Sequence, residues 1–422
     1  MNNDIKKRIL IVTQYYYPET FKSTEIGEEL VRRGHQVDVL AGIPNYPDGV
    51  YYKGYGLLKK RKEIVNGVRI YRCFQTPRGK KSSSIGLSLN FISFVISATL
   101  WVLFFFVWRK KYDAIITHEP SPITQIIPAI ILGKIRNTEV YSWILDIWPD
   151  SMVSSIGEKR ARFIKPILTS VTEWVYRNSK LILVSSKGMM ELVNRNHDYS
   201  DKLVYFPNWC DDILSLPIED GDKLPDGYKI MMAGNLNDGI GVEALVSLTD
   251  RLKDLQNLWF VFVGGGTREQ YLRDAFKEKG INNVVMTGRL PFKKMPALYR
   301  QANAMLITLK ETKLPHLRAT VPLRIQSYMS AGKPILGMAD GSSMSVINAS
   351  GCGFCASAGD VENLASYIKD VVMSNREEFD AKGENARNFY EKYYQMNSCI
   401  SNLEHYISTS DITNPPYPIP EV

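Results

Sequence analysis

Twice along the chain, short apolar runs that read as strands alternate with amphipathic stretches that read as helices, and this alternation restricts the fold more than any other feature. The first series opens with Ile9 to Thr13, a helix from about Thr24 to Arg33, a Gly34-His35 turn and the strand Gln36 to Ala41. Strands follow at Arg69 to Phe74, Asp113 to Thr117, Glu139 to Ile144 and Leu181 to Ser185. The second series is Lys229 to Ala233, Leu258 to Val263, Val284 to Thr287, Ala304 to Thr308 and Pro334 to Met338. Strands separated by helices pair in parallel, so each series predicts a doubly wound α/β sheet with its ligands at the carboxyl ends of the strands. Between the two, residues 209–227 turn to Pro, Asp and Gly (Asp220, Gly221 and Asp222 among them) and read as a solvated linker. The expected organisation is therefore two Rossmann-like domains, 1–208 and 228–395, facing across a cleft, with 396–422 as a C-terminal helix and extended tail.

Charge divides along the same line. Residues 1–208 carry 30 basic and 18 acidic side chains, a net +12, whereas residues 209–422 carry 22 and 26, a net −4. An anionic partner is expected for the first half, either phospholipid or nucleic acid. No nucleic-acid motif accompanies the basic residues, so a basic binding protein is kept only as a rival reading. Five cysteines point to a reducing compartment. Cys352 and Cys355 form the only CxxC, without a second pair or nearby histidines, and read as two small residues flanking a buried turn; no metal is expected. The run Ile9 to Val12 behind Lys6, Lys7 and Arg8 is too short for a signal-peptide core and reads as a strand, which places the protein in the cytoplasm.

Ile85 to Val107 contains no charge and is long enough to cross a bilayer. Its flanks are basic on both sides (Arg78, Lys80, Lys81; Arg109, Lys110, Lys111), so they assign no orientation. Gly86, Asn90, Ser93 and Ser97 form a small, polar stripe, with Phe91, Phe94, Val95, Trp101, Phe105 and Phe106 on the remaining surface. A span would separate the strands on either side of it. The preferred reading is a helix that packs its small face on the protein and dips its aromatic face into the membrane surface, with a buried core helix as the alternative.

Two segments carry phosphate-binding chemistry. Val261 to Thr267 ends a strand in Gly264, Gly265 and Gly266 and opens a helix, where bare amides could meet a diphosphate, and Arg268 follows as a bidentate donor. Thr320 to Ile335 starts a helix at Pro322 and ends it at Gly332 before another strand. This second segment resembles the nucleotide-sugar region of retaining GT-B glycosyltransferases of family 4, which reads P-x-x-x-x-E-A-M-A-x-G-x-P-V. Arg32 to Val37 resembles the family's RGHxV, Ala233-Gly234-Asn235-Leu236 its AGN variant, and Gly288-Arg289-Leu290-Pro291 its G-x-x-P. Within the family the chain looks most like the WbuB-like transferases of surface-polysaccharide assembly, several of which move N-acetyl-L-fucosamine. The words that carry this are Gln14 to Glu19, Gly42 to Gly49, Asp146 to Ser151, Pro207-Asn208-Trp209 and Gln326-Ser327-Tyr328.

The resemblance implies donor contacts from Gly234, Asn235, Gly265, Gly266, Arg268, Arg289, Leu290, Arg318, Arg324 and Gln326. The family's E-x7-E pair is Arg318 and Gln326 here, and its diphosphate-binding Arg and Lys are Asn235 and Ile240. Cationic compensation must then come from other side chains, with Arg268 and Arg324 expected to supply most of it. In the first domain His118 follows a strand in Thr117-His118-Glu119-Pro120, which puts it on the rim of the cleft, to orient the donor sugar or pyrophosphate; some family members have a similar His-Glu-Pro. Asp146, just past another strand, is expected to meet sugar or acceptor hydroxyls or else to cap a helix, and Trp148 to stack on a sugar or simply pack. Lys22 lies where the first loop enters its helix, beside Glu25, and is counted with the catalytic residues. Asn45 and Tyr46, near Tyr51 to Tyr55, suit an acceptor-lipid mouth or a plain surface hairpin.

The reading is thus a GT-B enzyme that moves a sugar, N-acetyl-L-fucosamine or another N-acetylated amino sugar, from a UDP-sugar to an undecaprenyl-diphosphate-linked saccharide. Retention of configuration, no metal and attachment to the inner face of the plasma membrane are expected, with the C-terminal helix returning to the first domain. A GT-B epimerase acting on UDP-N-acetyl sugars is the rival enzyme.

Overall fold

The computed structural model describes residues 6–79, 83–219 and 223–422. Lys80 and Lys81 of the basic flank, and Asp220, Gly221 and Asp222 of the linker, lie outside these. The chain divides into two compact units. The first comprises residues 1–185, 189–206 and 402–415, and the second residues 186–188, 207–401 and 416–422.

The first unit is an eight-stranded sheet built from β1 (Arg8–Val12), β2 (Gln36–Gly42), β3 (Lys62–Val65), β4 (Val68–Cys73), β5 (Ala114–Glu119), β6 (Val140–Ile144), β7 (Leu181–Val184) and β8 (Leu203–Tyr205), in the order β3-β4-β2-β1-β5-β6-β7-β8. All pairings are parallel except β3 with β4. Every residue of β1, β5 and β6 is buried, as expected for strands covered on both faces. The edge strand β3 was not anticipated: its KEIV places two charged residues before two apolar ones, with no alternation to read, and it is aligned by pairing with β4. At the amino end of the sheet the fully buried Asp38 is held by Arg8 Nη2 (3.1 Å), Arg69 Nε (2.6 Å) and the Tyr112 hydroxyl (2.5 Å), so the carboxylate is compensated.

Helix α1 (Lys22–Arg32) connects β1 to β2, and α2 (Ser84–Phe104) and α3 (Ile127–Arg136) flank β5 in sequence. Together with the 3₁₀ turn that follows, the segment Ser84–Trp108 is long and apolar enough to cross a membrane by length and composition. Its orientation corrects the sequence reading in one respect. The small stripe does face the protein: Ser93 Oγ accepts from Thr76 N (2.9 Å), Ser97 Oγ donates to Phe74 O, and Asn90 is fully buried. The aromatic side chains, however, mostly pack inward. Phe94 and Phe106 are buried, while Trp101 and Phe105 form a ring cluster with Tyr71. The exposed ridge is aliphatic along most of the helix, through Ile85, Leu89, Ile92, Ile96, Leu100 and Leu103, and ends in two exposed aromatic side chains, Phe104 and Trp108.

The second unit holds β9 (Tyr228–Ala233), β10 (Leu258–Val263), β11 (Val284–Gly288), β12 (Ala304–Thr308), β13 (Ile335–Met338) and β14 (Gly353–Ala356), all parallel, in the order β11-β10-β9-β12-β13-β14. Alternate residues feed two cores. Met231, Val261 and Ile307 pack with Ile325 and Tyr328 on one face, and Met232, Phe260 and Leu306 pack with Leu245 and Leu364 on the other. Of the stretch read as a solvated linker, Cys210, Ile213 and Leu224 belong to the first of these cores. The CxxC does not flank a turn: Cys355 lies inside β14 and Cys352 just before it, both free thiols pushed up by burial, to about 12 and about 11.

The helix Met396–Thr409 begins in the second unit, and its residues from Asn402 onward belong to the first. There Glu404 accepts from Arg33 Nη1 (2.5 Å) and sits 2.7 Å from His35 Nε2. His35 Nδ1 accepts from Lys7 N (3.1 Å), which fixes the tautomer with the proton on Nε2, aimed at Glu404. Arg33 also binds Glu29 (2.6 Å). The Arg-Gly-His segment is therefore a clamp on the last helix. Glu404→Ala should lower the unfolding free energy by about 2 kcal/mol, the cost of stranding two charge-assisted hydrogen bonds, as measured by urea denaturation. Arg32→Ala, which removes an exposed guanidinium while Glu29 keeps Arg33 as its partner, should leave the urea midpoint nearly unchanged.

Candidate functional site

The parallel order collects loops at the carboxyl ends of the strands, and each unit has its own half-site there.

In the first unit the loops after β1, β2, β5 and β6 converge. His118, the fifth residue of β5, is 1% exposed, so the rim position expected from sequence is not where it stands. Its ring is edge-on to Trp143 (5.2 Å between centroids) and to Phe21 (6.3 Å), and Thr13 Oγ1 donates to its carbonyl (3.1 Å). Burial, with the charge of Lys22 adding to it, pushes the imidazole down to about 3. His118 is thus neutral throughout the physiological range, and any part it plays toward a substrate is that of a neutral hydrogen-bonding group; its Nδ1 is buried without a protein partner. Lys22 opens α1 and is held bidentately by Glu25 (2.8 and 2.9 Å), so its charge is half spent within the helix's first turn.

Glu119, which was not singled out, is the most unusual group in this half-site. It ends β5 at 0% exposure, with the backbone of Asp146 and Leu145 beside its carboxyl and no side-chain partner among the described residues. Burial and the neighbouring Asp146 raise its pKa well above the usual carboxylate range, so it is a neutral acid. Asp146 does not cap a helix: the nearest one, Asp150–Ile156, has Pro149 at its N-cap, and Asp146 Oδ2 instead accepts from Trp148 Nε1 (3.2 Å). Trp148 is 8% exposed and shares the same N–H with Ser121 Oγ (3.1 Å), so its ring is packed, with little face left to stack on a sugar.

Asn45 is buried and Tyr46 is 40% exposed, and a single acid positions both: Glu19 Oε1 accepts from the amides of Asn45 (2.8 Å) and Tyr46 (2.7 Å). This is a fixed loop after β2, with no hairpin. Burial raises Glu19 to about 7 despite these donors.

In the second unit the loop after β9 and the glycine loop after β10 pack backbone to backbone. Gly234 N donates to Val263 O (2.9 Å), Leu236 N to Gly265 O (3.0 Å) and Arg268 N to Leu236 O (3.0 Å). Gly264, at φ +139°, and Gly266 leave no room for a Cβ against Gly234 and Leu236. The glycines thus serve close loop packing first, and one of the amides read as bare from sequence, Gly264 N, already donates to Gly288 O (2.9 Å). Arg268 is committed to Asp238 (3.1 Å) and Glu243 (2.7 Å). Arg324 is different. It occupies the first turn of the helix Leu323–Ser330, an unfavourable place for a cation, and lies against Gly234 with Nη2 donating to Asn235 O (3.3 Å) and a buried Nη1 that has no partner. Gln326 is 2% exposed, and the amide orientation that suits its surroundings has the nitrogen donating to Pro322 O (2.9 Å) and Leu323 O (3.2 Å). Arg289 is exposed and Leu290 half-buried beyond β11, near the Gly265 loop. Arg318 helps line a cavity of about 340 Å³ with Gly239, Leu309, Leu314, Pro322 and Asp340.

Two such units, each a parallel sheet with its polar and glycine loops at the carboxyl edge, define the GT-B class of fold. Residues 23–209 match the family of the glycosyl transferase 4-like domain and residues 218–389 that of glycosyl transferases group 1. The two matches lie side by side along most of the chain, and the protein is a glycosyltransferase. It is 23% identical over 348 residues to the Escherichia coli K12 glycosyl transferase WcaI, named provisionally for colanic acid biosynthesis, covering 77% of this chain and 81% of WcaI. Among solved structures it is similar to a sucrose-phosphate synthase from Thermosynechococcus elongatus (TM-score 0.71, 16% identity, 96% of this chain and 99% of that one). It is also similar to Anabaena HepE in complex with UDP (TM-score 0.67, 14% identity, 95% and 100%).

Two predictions follow from this geometry. Because Glu19 titrates at about 7 in the fold against 4.5 unfolded, the stability tied to its protonated form is complete below pH 4.5 and lost as the pH rises through 7, by up to about 3 kcal/mol. In Glu19→Gln, whose carbonyl can still accept both amides, that loss between pH 5 and pH 8 should be absent from urea denaturation midpoints. Arg324→Ala should weaken UDP binding roughly thirtyfold in calorimetric titration, while Arg268→Ala, a cation already paired, should change it less than about threefold.

Proposed function

We propose that the protein transfers a sugar from a UDP-sugar onto a saccharide carried on undecaprenyl diphosphate, during assembly of a surface polysaccharide at the inner face of the plasma membrane. The observation that carries the donor half is Arg324, a partly buried cation with an unpaired Nη1 beside the Gly234-Asn235 loop, where a diphosphate would satisfy it. Arg324 then stabilises the negative charge that grows on the departing UDP, so the transfer needs no metal ion. The cavity beside Arg318 is the place for the sugar, and its leucine and proline side chains suit a donor with an apolar substituent, such as the methyl and acetamido groups of N-acetyl-L-fucosamine. The neutral His118 orients the substrate by hydrogen bonding, Asp146 receives the acceptor hydroxyl, and the configuration at the anomeric carbon is retained. The names of WcaI and of the HepE complex, one pointing to an exopolysaccharide and the other to UDP, agree with this reading. The aliphatic ridge of α2 and the basic balance of the first half agree with a lipid-borne acceptor at an anionic membrane.

In calorimetry the purified protein should bind UDP equally well with magnesium and with EDTA, and should bind GDP at least tenfold more weakly. With a UDP-N-acetyl sugar and a polyprenyl-diphosphate saccharide, NMR of the product should show the anomeric configuration of the donor. Loss of activity in EDTA, or an inverted product, would refute the corresponding step.

A further inference from the structure

Arg78 follows β4 and precedes α2, and it differs from the other deeply packed arginines of the first unit. Arg8 is paired with Asp38, Arg33 with Glu29 and Glu404, and Arg72 with Glu63. Arg78 has no carboxylate among the described residues. Its guanidinium lies over the rings of Tyr15 (4.9 Å) and Tyr46 (5.0 Å) and 5.9 Å from that of Phe91. Nη2 donates to the neutral Tyr15 hydroxyl, Nε is buried without a partner, and the backbone N–H donates to Asn45 Oδ1 (3.3 Å). Burial alone acts on its titration, dragging it down to about 10 with no anion to offset the cost. A guanidinium held by aromatic faces, with one donor unsatisfied, is a cation whose counter-charge is not supplied by its own unit. Tyr46, 40% exposed, leaves the pair open to solvent.

The surroundings indicate what kind of anion. Gly86 in the first turn of α2 packs on the Arg78 carbonyl so closely that an added Cβ would strike it, which seats the Arg78 loop on the helix. From that turn runs the exposed ridge Ile85, Leu89, Ile92, Ile96, Leu100 and Leu103, about 27 Å long at 1.5 Å per residue. A planar fork donor thus stands at one end of a hydrocarbon track.

We propose that Arg78 is the anion-binding residue of a subsite for the phosphate or diphosphate ester of a polyisoprenoid, whose chain follows the α2 ridge. This deepens the lipid-acceptor reading above and rests on it. The shared chemistry is a phosphate ester joined to a long apolar chain, which a lipid carrier or a phospholipid headgroup could present, and the test separates the two.

The full-length protein, Arg78→Gln and Arg78→Lys are titrated with farnesyl diphosphate, farnesol, inorganic pyrophosphate and, by flotation, vesicles of phosphatidylglycerol. Wild type should bind farnesyl diphosphate, with farnesol and pyrophosphate each far weaker. Arg78→Gln should weaken farnesyl diphosphate roughly ten- to hundredfold, Arg78→Lys should recover part of that, and UDP affinity and vesicle flotation should stay unchanged. Equal farnesyl diphosphate binding by wild type and both variants would overturn the proposal, as would no binding by wild type. Loss of flotation in Arg78→Gln with farnesyl diphosphate binding intact would also overturn it, by assigning the residue to phospholipid. UDP binding in the same samples keeps a failure here distinct from a failure of the donor assignment. Should Arg78→Gln melt below wild type, Arg78→Lys and the rise in wild-type melting temperature with farnesyl diphosphate still decide the outcome.

Discussion

A chain of buried amides holds the carboxyl edge of the first sheet together. Gln14 Nε2 donates to Gln75 Oε1 (2.9 Å) and to Asn90 Oδ1 (2.7 Å), Gln75 Nε2 to Ile43 O (2.7 Å), and Asn90 Nδ2 to Thr76 O (2.5 Å); Gln125 Oε1 accepts from Gln14 N (2.9 Å). Gln14, Gln75, Asn90 and Gln125 are all fully buried, so each bond lost strands a donor or an acceptor away from water. The loops after β1, β2, β4 and β5 and the helix α2 therefore share one network, which extends through Asn45 Oδ1 to the backbone of Arg78. The long apolar helix α2 is in this way tied to the polar loops at the carboxyl edge of the sheet.

The two units solve the same problem differently. In the first, polar side chains fill the carboxyl edge, where burial disfavours the charged forms of His118 and Glu119, Lys22 is paired with Glu25, and Arg78 is held by aromatic rings. In the second, the edge is built from glycine backbone, and the loops after β9 and β10 approach one another too closely for side chains. Cations then come in from outside this backbone layer, Arg324 from the helix Leu323–Ser330 and Arg268 from the end of the glycine loop.

The strand and helix order was legible in the sequence because buried parallel strands are continuous apolar runs, and both sheets follow it. What could not be read were the strands without that signature: β3, charged and at an edge, β8, only three residues long, and β14, which contains Cys355. The exposed face of α2 was misassigned for a related reason. The polar stripe through Asn90 did mark the inward face of α2, but among its apolar residues nothing local tells which flank that stripe, and packing against α3, β2 and β4 puts Phe94, Ala98 and Val102 in the interior.

By itself the sequence determined the two-unit parallel architecture, the split of charge between the halves and the strand-end loops that hold the site, since these follow from local periodicity and composition. Whether a given polar side chain is free to act was decided by the tertiary structure. Arg268 and Arg324 are the same residue type near the same loop, yet Arg268 meets two carboxylates and Arg324 meets none among the described residues. Arg78 reads in sequence as one more basic flank and becomes, in the fold, a cation enclosed by rings. Burial and partnership depend on residues far apart in the chain, and no local pattern encodes the desolvation that turns an ordinary His118 or Glu119 into a neutral group.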